Sequence, residues 1–228
     1  YSLEQRNAFS KQAVQKGYQA SLLTDTGMSI QKEGRDPFDR FAGRVMFPIQ
    51  NLSGRILGFG GRTLSSEKKI AKYLNSPETE IYSKSKVLYG LFQSKRKIIQ
   101  EDNCFLVEGY TDVISFHQKG IENVVASSGT SLTEDQIKLI RRFTSNITVL
   151  FDGDAAGIKA SFRGIDMLLK EDMNVKVVSF PDGEDPDSFA RKHSTFDIEH
   201  FLKDNSKDFI SFKCAILLED AGEDPFKK

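Results

Sequence analysis

The stretch CFLVEGYTD, residues 104–112, decides the fold, because a short apolar run ends in an acidic cluster. The same arrangement returns in ITVLFDGDAAG at 147–157 and in VKVVSFPDGEDPD at 175–187. Short apolar runs that alternate with helical patterns predict βα units and a parallel sheet. Ligands of such sheets bind outside the carboxyl ends of the strands, so we expect all three clusters at one edge of one sheet.

The surrounding pattern predicts an α/β fold in which strands and helices alternate, within a chain that is α+β overall. Strands are expected at 104–108, 123–126, 147–151 and 175–180, and helices at about 111–119, 134–143, 155–171, 188–192, 198–203 and 209–218. Thr133 and Gln136 have the spacing of a capping box. Upstream, 44–49 and 55–62 predict a hairpin whose glycines suit the close approach of another backbone or a ligand.

Charge is distributed unevenly along a chain whose net charge is zero. Residues 35–97 hold thirteen Lys or Arg against five Asp or Glu, and residues 98–228 hold fifteen against twenty-four. The basic part could attract a polyanion and the acidic part could hold cations, although two ordinary solvated surfaces would give the same pattern. Cys104 opens a predicted buried strand far from Cys214, so we expect free thiols in a reducing compartment.

Asp152 and Asp154 lie two residues apart just past a predicted buried strand. Converging carboxylates repel each other and raise each other's pKa unless a cation lies between them. Mg²⁺ prefers oxygen ligands, and phosphate groups complete its shell. A solvated Asp-Gly-Asp turn is the alternative for this pair alone, and acidic clusters at three strand ends favour the metal site.

Glu108 closes its apolar run, where a carboxylate near a metal can act as general base or ligand. A glutamate or aspartate stabilised by the helix dipole is the alternative for Glu108 and for Asp112, four residues later. In the third cluster, Asp185 or Asp187 could instead cap the helix that Pro186 helps to start.

These motifs carry a resemblance to a known family. EGYTD, DGDAAG and DGEDPD resemble the Toprim domain of bacterial (DnaG-type) DNA primases. RFAGRVMFPI at 40–49, GFGGR at 58–62 and KYLNSPET at 72–79 are similar to the basic N-terminal subdomain of that family. The resemblance implies a basic subdomain at 1–100, a Toprim domain at 101–182 with a parallel βα sheet, and the start of a helical subdomain at 183–228.

The resemblance implies synthesis of short RNA primers on a single-stranded DNA template from ribonucleoside triphosphates. Two or more Mg²⁺ or Mn²⁺ ions would be held by a set of acidic residues: Glu108, Asp112, Asp152, Asp154, Asp185 and Asp187. Glu108, Asp152 and Asp154 would carry catalysis. Nucleotide, template and primer would meet a set of basic-motif residues: Arg40, Arg44, Arg62, Lys72, Tyr73, Asn75 and Lys84.

The resemblance also implies what this chain does not carry. The family's zinc-binding domain and its helicase-binding domain have no counterpart here, so we expect no zinc, and contact with the replicative helicase only through a domain outside this chain. Tyr1 is not a natural start, which suggests a piece of a longer protein. No run approaches the roughly 20 apolar residues of a membrane span, and we expect a monomer in the bacterial cytoplasm, at the replication fork.

Four other functions fit parts of this sequence pattern. A topoisomerase would need a nucleophilic tyrosine in another domain, and a nuclease would lack the basic hairpin. A non-catalytic nucleic-acid-binding module would have lost some of the carboxylates. A phosphotransfer enzyme with an aspartate nucleophile usually places its first Asp-x-Asp at the first strand, whereas Asp152 follows the third.

Overall fold

The computed structural model describes residues 1–67, 69–129, 131–152 and 164–221, and the chain divides into two compact units, Tyr1–Lys84 and Ser85–Lys228. The division between the compact units lies at residue 84, and the predicted domain bounds of 1–100, 101–182 and 183–228 stay predictions. The division precedes a helix at Leu91–Glu101 because that helix packs against strand Val124–Ala126 of the second unit.

The first unit combines two helices with two small sheets. Its elements are α1 (Ala8–Gln15), α2 (Ala20–Asp25), β1 (Ser29–Ile30), β2 (Phe38–Asp39), β3 (Arg44–Gln50), β4 (Ile56–Thr63) and β5 (Tyr73–Asn75). The antiparallel pairing of β3 with β4 confirms the predicted hairpin, and β5 adds a third strand on the far side of β4. A Cβ at Gly61 would come within 2.7 Å of the Phe41 ring, so a packed side chain rather than a ligand requires that glycine.

The second unit carries the predicted βα pattern. After a 3-10 turn at Lys84–Lys86 come α3 (Leu91–Glu101), β6 (Cys104–Val107), α4 (Tyr110–Gln118), β7 (Val124–Ala126), α5 (Glu134–Arg141), β8 (Asn146–Phe151), α6 (helical at 164–170), β9 (Asn174–Ser179), α7 (Pro186–Lys192), α8 (Thr195–Asp204), β10 (Lys207–Asp208) and α9 (Phe209–Ala221). The beginning of the helix expected at 155–171 lies outside the described residues.

Among the described residues of this unit, five strands form one sheet in the order β10-β9-β8-β6-β7. Strands β9, β8, β6 and β7 are parallel, and only the two-residue β10 runs antiparallel to its neighbour. Apolar side chains of β6, β7 and β8 meet those of α4, α7 and α8 in the core: Val107, Val113, Phe116, Val124, Leu150, Phe189, Ile198 and Leu202. Burial on both faces explains why these strands are continuous apolar runs.

Cys104 is fully buried and Cys214 is exposed, and both are free thiols, as predicted. Burial raises the pKa of the Cys104 thiol, which keeps it protonated and inert.

Within the described part of the chain, no helix combines the length and apolar character needed to cross a bilayer.

Candidate functional site

The described parts of the three acidic clusters leave the sheet at one edge, as the sequence predicted. Strands β9, β8 and β6 are neighbours and parallel, with Leu106 beside Val149 and Phe151 beside Ser179. Glu108 directly follows β6, Asp152 directly follows β8, and the loop that carries the third cluster follows β9. The carboxyl ends of three adjacent strands therefore point their acidic segments to the same side of the unit.

Asp112 occupies the first turn of α4 and is buried, with 8% of its surface exposed. The Gly109 amide donates to Asp112 Oδ2 at 2.8 Å, which closes the N-terminus of α4. A Cβ at residue 109 would come within 3.1 Å of that same oxygen, so glycine allows the carboxylate to approach the backbone closely. The side chain is thereby fixed at the start of the helix.

The electrostatics of Asp112 show which acidic residues share its surroundings. Burial raises the pKa of Asp112 to about 7. The hydrogen bond from Gly109 opposes this rise, and the negative charges of Asp152, Asp185 and Asp187 add to it. Asp152 after β8, Asp185 and Asp187 therefore share the electrostatic surroundings of Asp112, and these four residues are called the Asp112 neighbourhood below. The helix dipole explains why an acidic residue lies in the first turn of α4. It does not explain why Asp112 is buried in the surroundings of other carboxylates.

Asp185 is the N-cap of α7. Its Oδ1 accepts from the Ser188 amide at 2.6 Å, the Ser188 hydroxyl accepts from the Asp185 amide at 3.0 Å, and Pro186 is the first residue of the helix. The helix-capping alternative considered for this cluster is therefore realised at Asp185. One carboxylate oxygen remains outside that bond, so capping and cation binding are compatible at this residue.

Asp187 is held by two side chains that the sequence motifs did not indicate. Ser115 of α4 donates its hydroxyl proton to Oδ1, and Arg191 donates from Nε to the same oxygen at 2.9 Å and from Nη2 to Oδ2. The four-residue spacing of Asp187 and Arg191 on one helix is a signal from which the ion pair could have been predicted. The contact with Ser115 depends on the packing of α4 against α7 and has no local signal.

Glu108 is exposed, and its carbonyl oxygen accepts from the Ser128 amide at 3.0 Å. The residue borders a cavity of about 940 Å³, together with Ser127, Thr133 and Glu134. Thr133 and Gln136 form the predicted capping box of α5 beside this cavity. Asp154 lies outside the described residues, and its position relative to Glu108 stays a prediction.

The acidic residues fit a hard divalent cation by their chemistry. Carboxylate oxygens are the ligands that Mg²⁺ and Mn²⁺ take. The pKa of Asp112 is raised first by burial and then by the charges of Asp152, Asp185 and Asp187, and a bound cation would offset that second contribution. Among residues 1–67, 69–129, 131–152 and 164–221, no three His, Cys, Asp or Glu side chains already converge tightly enough to hold an ion. The residues able to supply ligands are those of the Asp112 neighbourhood and Glu108.

The first unit carries a stack of basic and aromatic side chains on β4 and β5. Arg62 lies opposite Tyr73 in the sheet, with its guanidinium 5.9 Å from the ring centre. The Lys72 ammonium lies 6.0 Å from the same ring. Within the described residues, no acidic side chain lies within ion-pair distance of Arg62. Two cations beside an aromatic ring that is 36% exposed form a surface suited to phosphates and bases.

The other residues predicted to bind nucleotide or nucleic acid form hydrogen bonds or strand pairs within the first unit. Arg44 is buried and donates to the carbonyls of Gly61 and Ala71 at 3.2 and 3.0 Å. Arg40 donates from Nε to the Gly27 carbonyl at 2.7 Å, and burial lowers the pKa of both arginines. Asn75 pairs with Gly60 across β4 and β5, and the Lys84 amide donates to Glu78 at 2.8 Å. Arg44 thus ties β4 to the segment that precedes β5.

Fold and site together define a Toprim-like, acidic-edged α/β unit joined to a basic unit. The family model for the N-terminal domain of the DNA primase catalytic core matches residues 1–95, and the Toprim-like model matches residues 105–190. A DNA primase of Staphylococcus aureus (strain COL) is 41% identical over 206 residues, 90% of this chain and 34% of that protein.

Solved structures give the same relationship. The RNA polymerase domain of Mycobacterium tuberculosis primase DnaG superposes with a TM-score of 0.85 at 31% identity, over 93% of this chain and 71% of that one. A DnaG primase catalytic domain bound to single-stranded DNA gives a TM-score of 0.85 at 35% identity, over 96% and 69%. The chain belongs to the DnaG-type DNA primase catalytic-core family. It spans about a third of the length of the curated relatives it matches.

Proposed function

We propose that this chain is the catalytic core of a DNA primase, a DNA-dependent RNA polymerase that makes short RNA primers. The observation that carries the proposal is that Glu108, Asp152 and the third acidic cluster follow the carboxyl ends of three adjacent parallel strands, in a chain of the primase family. The substrates are ribonucleoside triphosphates and a single-stranded DNA template, and the transferred group is a nucleotide.

The acidic edge is the proposed site of two or more Mg²⁺ or Mn²⁺ ions. When bound, such cations neutralise phosphate charge and favour the ionised form of an attacking hydroxyl. Ligands would come from Asp112, Asp152, Asp154, Asp185 and Asp187. Glu108 is proposed as the acid or base of the reaction or as a further ligand, because it is exposed beside the cavity at the end of β6.

The basic unit is the proposed binding surface for nucleic acid and nucleotide. Arg62, Lys72 and Tyr73 would contact phosphates and a base directly, since cations and an aromatic ring lie together on one exposed surface. Asn75 and Lys84 would add contacts from the same unit. Arg40 and Arg44 would act mainly by holding the backbone, because their donors are directed at carbonyl oxygens.

Partners beyond the substrates follow from the family alone. We place the whole protein in the bacterial cytoplasm at the replication fork, acting as a monomer, with helicase contact through another part of it. None of the matches described above is a topoisomerase or a nuclease, and we propose no second function.

The test is primer synthesis. The chain is incubated with single-stranded template, the four ribonucleotides and Mg²⁺ or Mn²⁺, and RNA products are separated by length. We expect short RNA that depends on template and metal and disappears in Asp152→Asn. Asp182→Asn removes an equal charge from an exposed residue of the third cluster and should leave synthesis intact. Failure of the unaltered chain to make RNA on any template would contradict the proposal.

A further inference from the structure

The ion pair between Asp187 and Arg191 occupies a carboxylate that the proposed function needs. Oδ1 accepts from Ser115 Oγ and Arg191 Nε, and Oδ2 accepts from Arg191 Nη2. A carboxylate offers about four lone-pair positions in all. Three donors therefore leave Asp187 little capacity for a cation while Arg191 stays in place.

The neighbouring residue provides a natural comparison. Lys192 pairs with Glu184, and the side chains of Lys192 and Arg191 are both 61% exposed. Asp187 is also bound by Ser115 of α4, the helix that carries Asp112, whereas Glu184 is bound by Ser188 of its own segment. Two adjacent cations of one helix thus have the same exposure, but only Arg191 is bound to a member of the Asp112 neighbourhood.

We infer that Arg191 is a nucleotide-binding residue whose ion pair with Asp187 opens when a nucleoside triphosphate arrives with its divalent cation. The inference rests on the proposed function. A guanidinium recognises phosphate with the same two-pronged geometry it uses for carboxylate, so Arg191 can transfer its donors from Asp187 to a phosphate oxygen. The freed Asp187 carboxylate then faces the cation.

Charge balance makes this exchange favourable. The triphosphate supplies an anion for Arg191, and its cation supplies a positive charge for Asp187, so neither residue is left unpaired. The Arg191 side chain is 61% exposed and can swing into solvent, whereas the Asp187 side chain is only 14% exposed, so the incoming cation has to replace the charge that Arg191 supplied. Ser115 keeps its hydrogen bond and holds Asp187 in position while Arg191 moves.

The test compares Arg191→Gln, Arg191→Lys and Lys192→Gln with the unaltered chain. Free Mn²⁺ is titrated by electron paramagnetic resonance without nucleotide, and a non-hydrolysable ATP analogue is then titrated at saturating Mn²⁺. Arg191→Gln should bind Mn²⁺ alone at least about fivefold more tightly, because about fivefold is the upper value for a fully exposed ion pair and the Asp187 side of this pair is only 14% exposed. It should bind the analogue about tenfold more weakly, because a charge-assisted hydrogen bond is lost. Arg191→Lys should lie between, and Lys192→Gln should match the unaltered chain in both titrations.

Two results would overturn the inference and leave the proposed function standing: Arg191→Gln behaves like Lys192→Gln in both titrations, or it binds Mn²⁺ more weakly. The first would make Arg191 an ordinary surface partner, and the second would make it a residue that orients Asp187 for the cation. If the unaltered chain binds neither Mn²⁺ nor the analogue, the proposed function fails and the inference falls with it.

Discussion

Burial, with a smaller contribution from the charges of Asp152, Asp185 and Asp187, raises the pKa of Asp112 to about 7. An aspartate in an unfolded chain titrates near pH 3.9. Between these values the folded chain holds a proton that the unfolded chain has lost. The contribution of Asp112 to stability is therefore fully present below about pH 4 and is lost as the pH rises through about 7.

Asp112→Asn should remove this pH dependence. In EDTA, the free energy of unfolding of the unaltered chain should fall more steeply from pH 4 to pH 7 than that of the variant, and the variant should be the more stable of the two at pH 8. Asn keeps an oxygen for the Gly109 amide, so the start of α4 survives. Urea unfolding across this pH range measures the difference, with Asp182→Asn as control, and parallel curves for Asp112→Asn and the unaltered chain would refute the assignment.

Glu108 is a second residue whose proposed role a single substitution tests. If it acts in the transition state, Glu108→Gln should lower primer synthesis by about 10²-fold or more. Affinity for single-stranded DNA should change little, because a neutral group of the same shape leaves the basic unit unaltered. Glu134→Gln is the matched control, since Glu134 is exposed and borders the same cavity. A Glu108→Gln chain with most of its activity would reduce Glu108 to a residue that stabilises the start of α4.

At the scale of the element, the pairing of β4 with β5 brings Arg62 and Lys72 to one ring. The salt dependence of DNA binding reports such contacts, with a log–log slope of about −0.7 for each phosphate on a single strand. Arg62→Ala should make the slope shallower by about that amount and weaken binding on all sequences alike. Arg55→Ala removes the same charge from the turn end of the hairpin and should keep the slope.

Titration of labelled single-stranded DNA in EDTA at several salt concentrations measures these slopes. Asp152→Asn should bind as tightly as the unaltered chain or slightly more tightly, because a negative charge is removed. If Arg62→Ala keeps both slope and affinity while Asp152→Asn loses binding, DNA is not held by the basic unit.

Elements were predictable where the local pattern was strong. The runs that became β6, β8 and β9 are apolar because both faces of the sheet are covered, and their bounds were predicted to within one residue at either end. The sequence did not predict helix α3, because basic residues lie between its two apolar pairs, at 91–92 and 98–99, and obscure the helical pattern. Strand β10 has two residues and exists only through its pairing with β9.

The candidate site was predictable in its members but less so in its contacts. Acidic residues at strand ends predict a shared edge, since parallel strands end on the same side. The order β9-β8-β6, which places Asp152 after the strand next to the one that Glu108 follows, comes from crossovers that no local pattern encodes. Arg44 was expected at the nucleic acid, and its use in bonding carbonyls of β4 and Ala71 depends on a chain path that the sequence did not reveal.

At the scale of the whole molecule, the chain joins a unit with excess positive charge to one with excess negative charge. The central claim is that the acidic edge of the second unit binds the divalent cation. A cation that binds the folded chain and not the unfolded chain stabilises the fold, by about 2.7 kcal/mol when the cation concentration is a hundred times the Kd. Removing repelling carboxylates should stabilise the metal-free chain and abolish that gain.

Thermal melting with and without Mn²⁺ tests this claim most directly, using the unaltered chain, an Asp152→Asn, Asp154→Asn double variant, and Asp182→Asn. We predict that Mn²⁺ raises the Tm of the unaltered chain and of Asp182→Asn equally. The double variant should melt at or above the unaltered chain in EDTA and gain almost nothing from Mn²⁺. A double variant that gains as much from Mn²⁺ as the unaltered chain would place the cation elsewhere and contradict the claim.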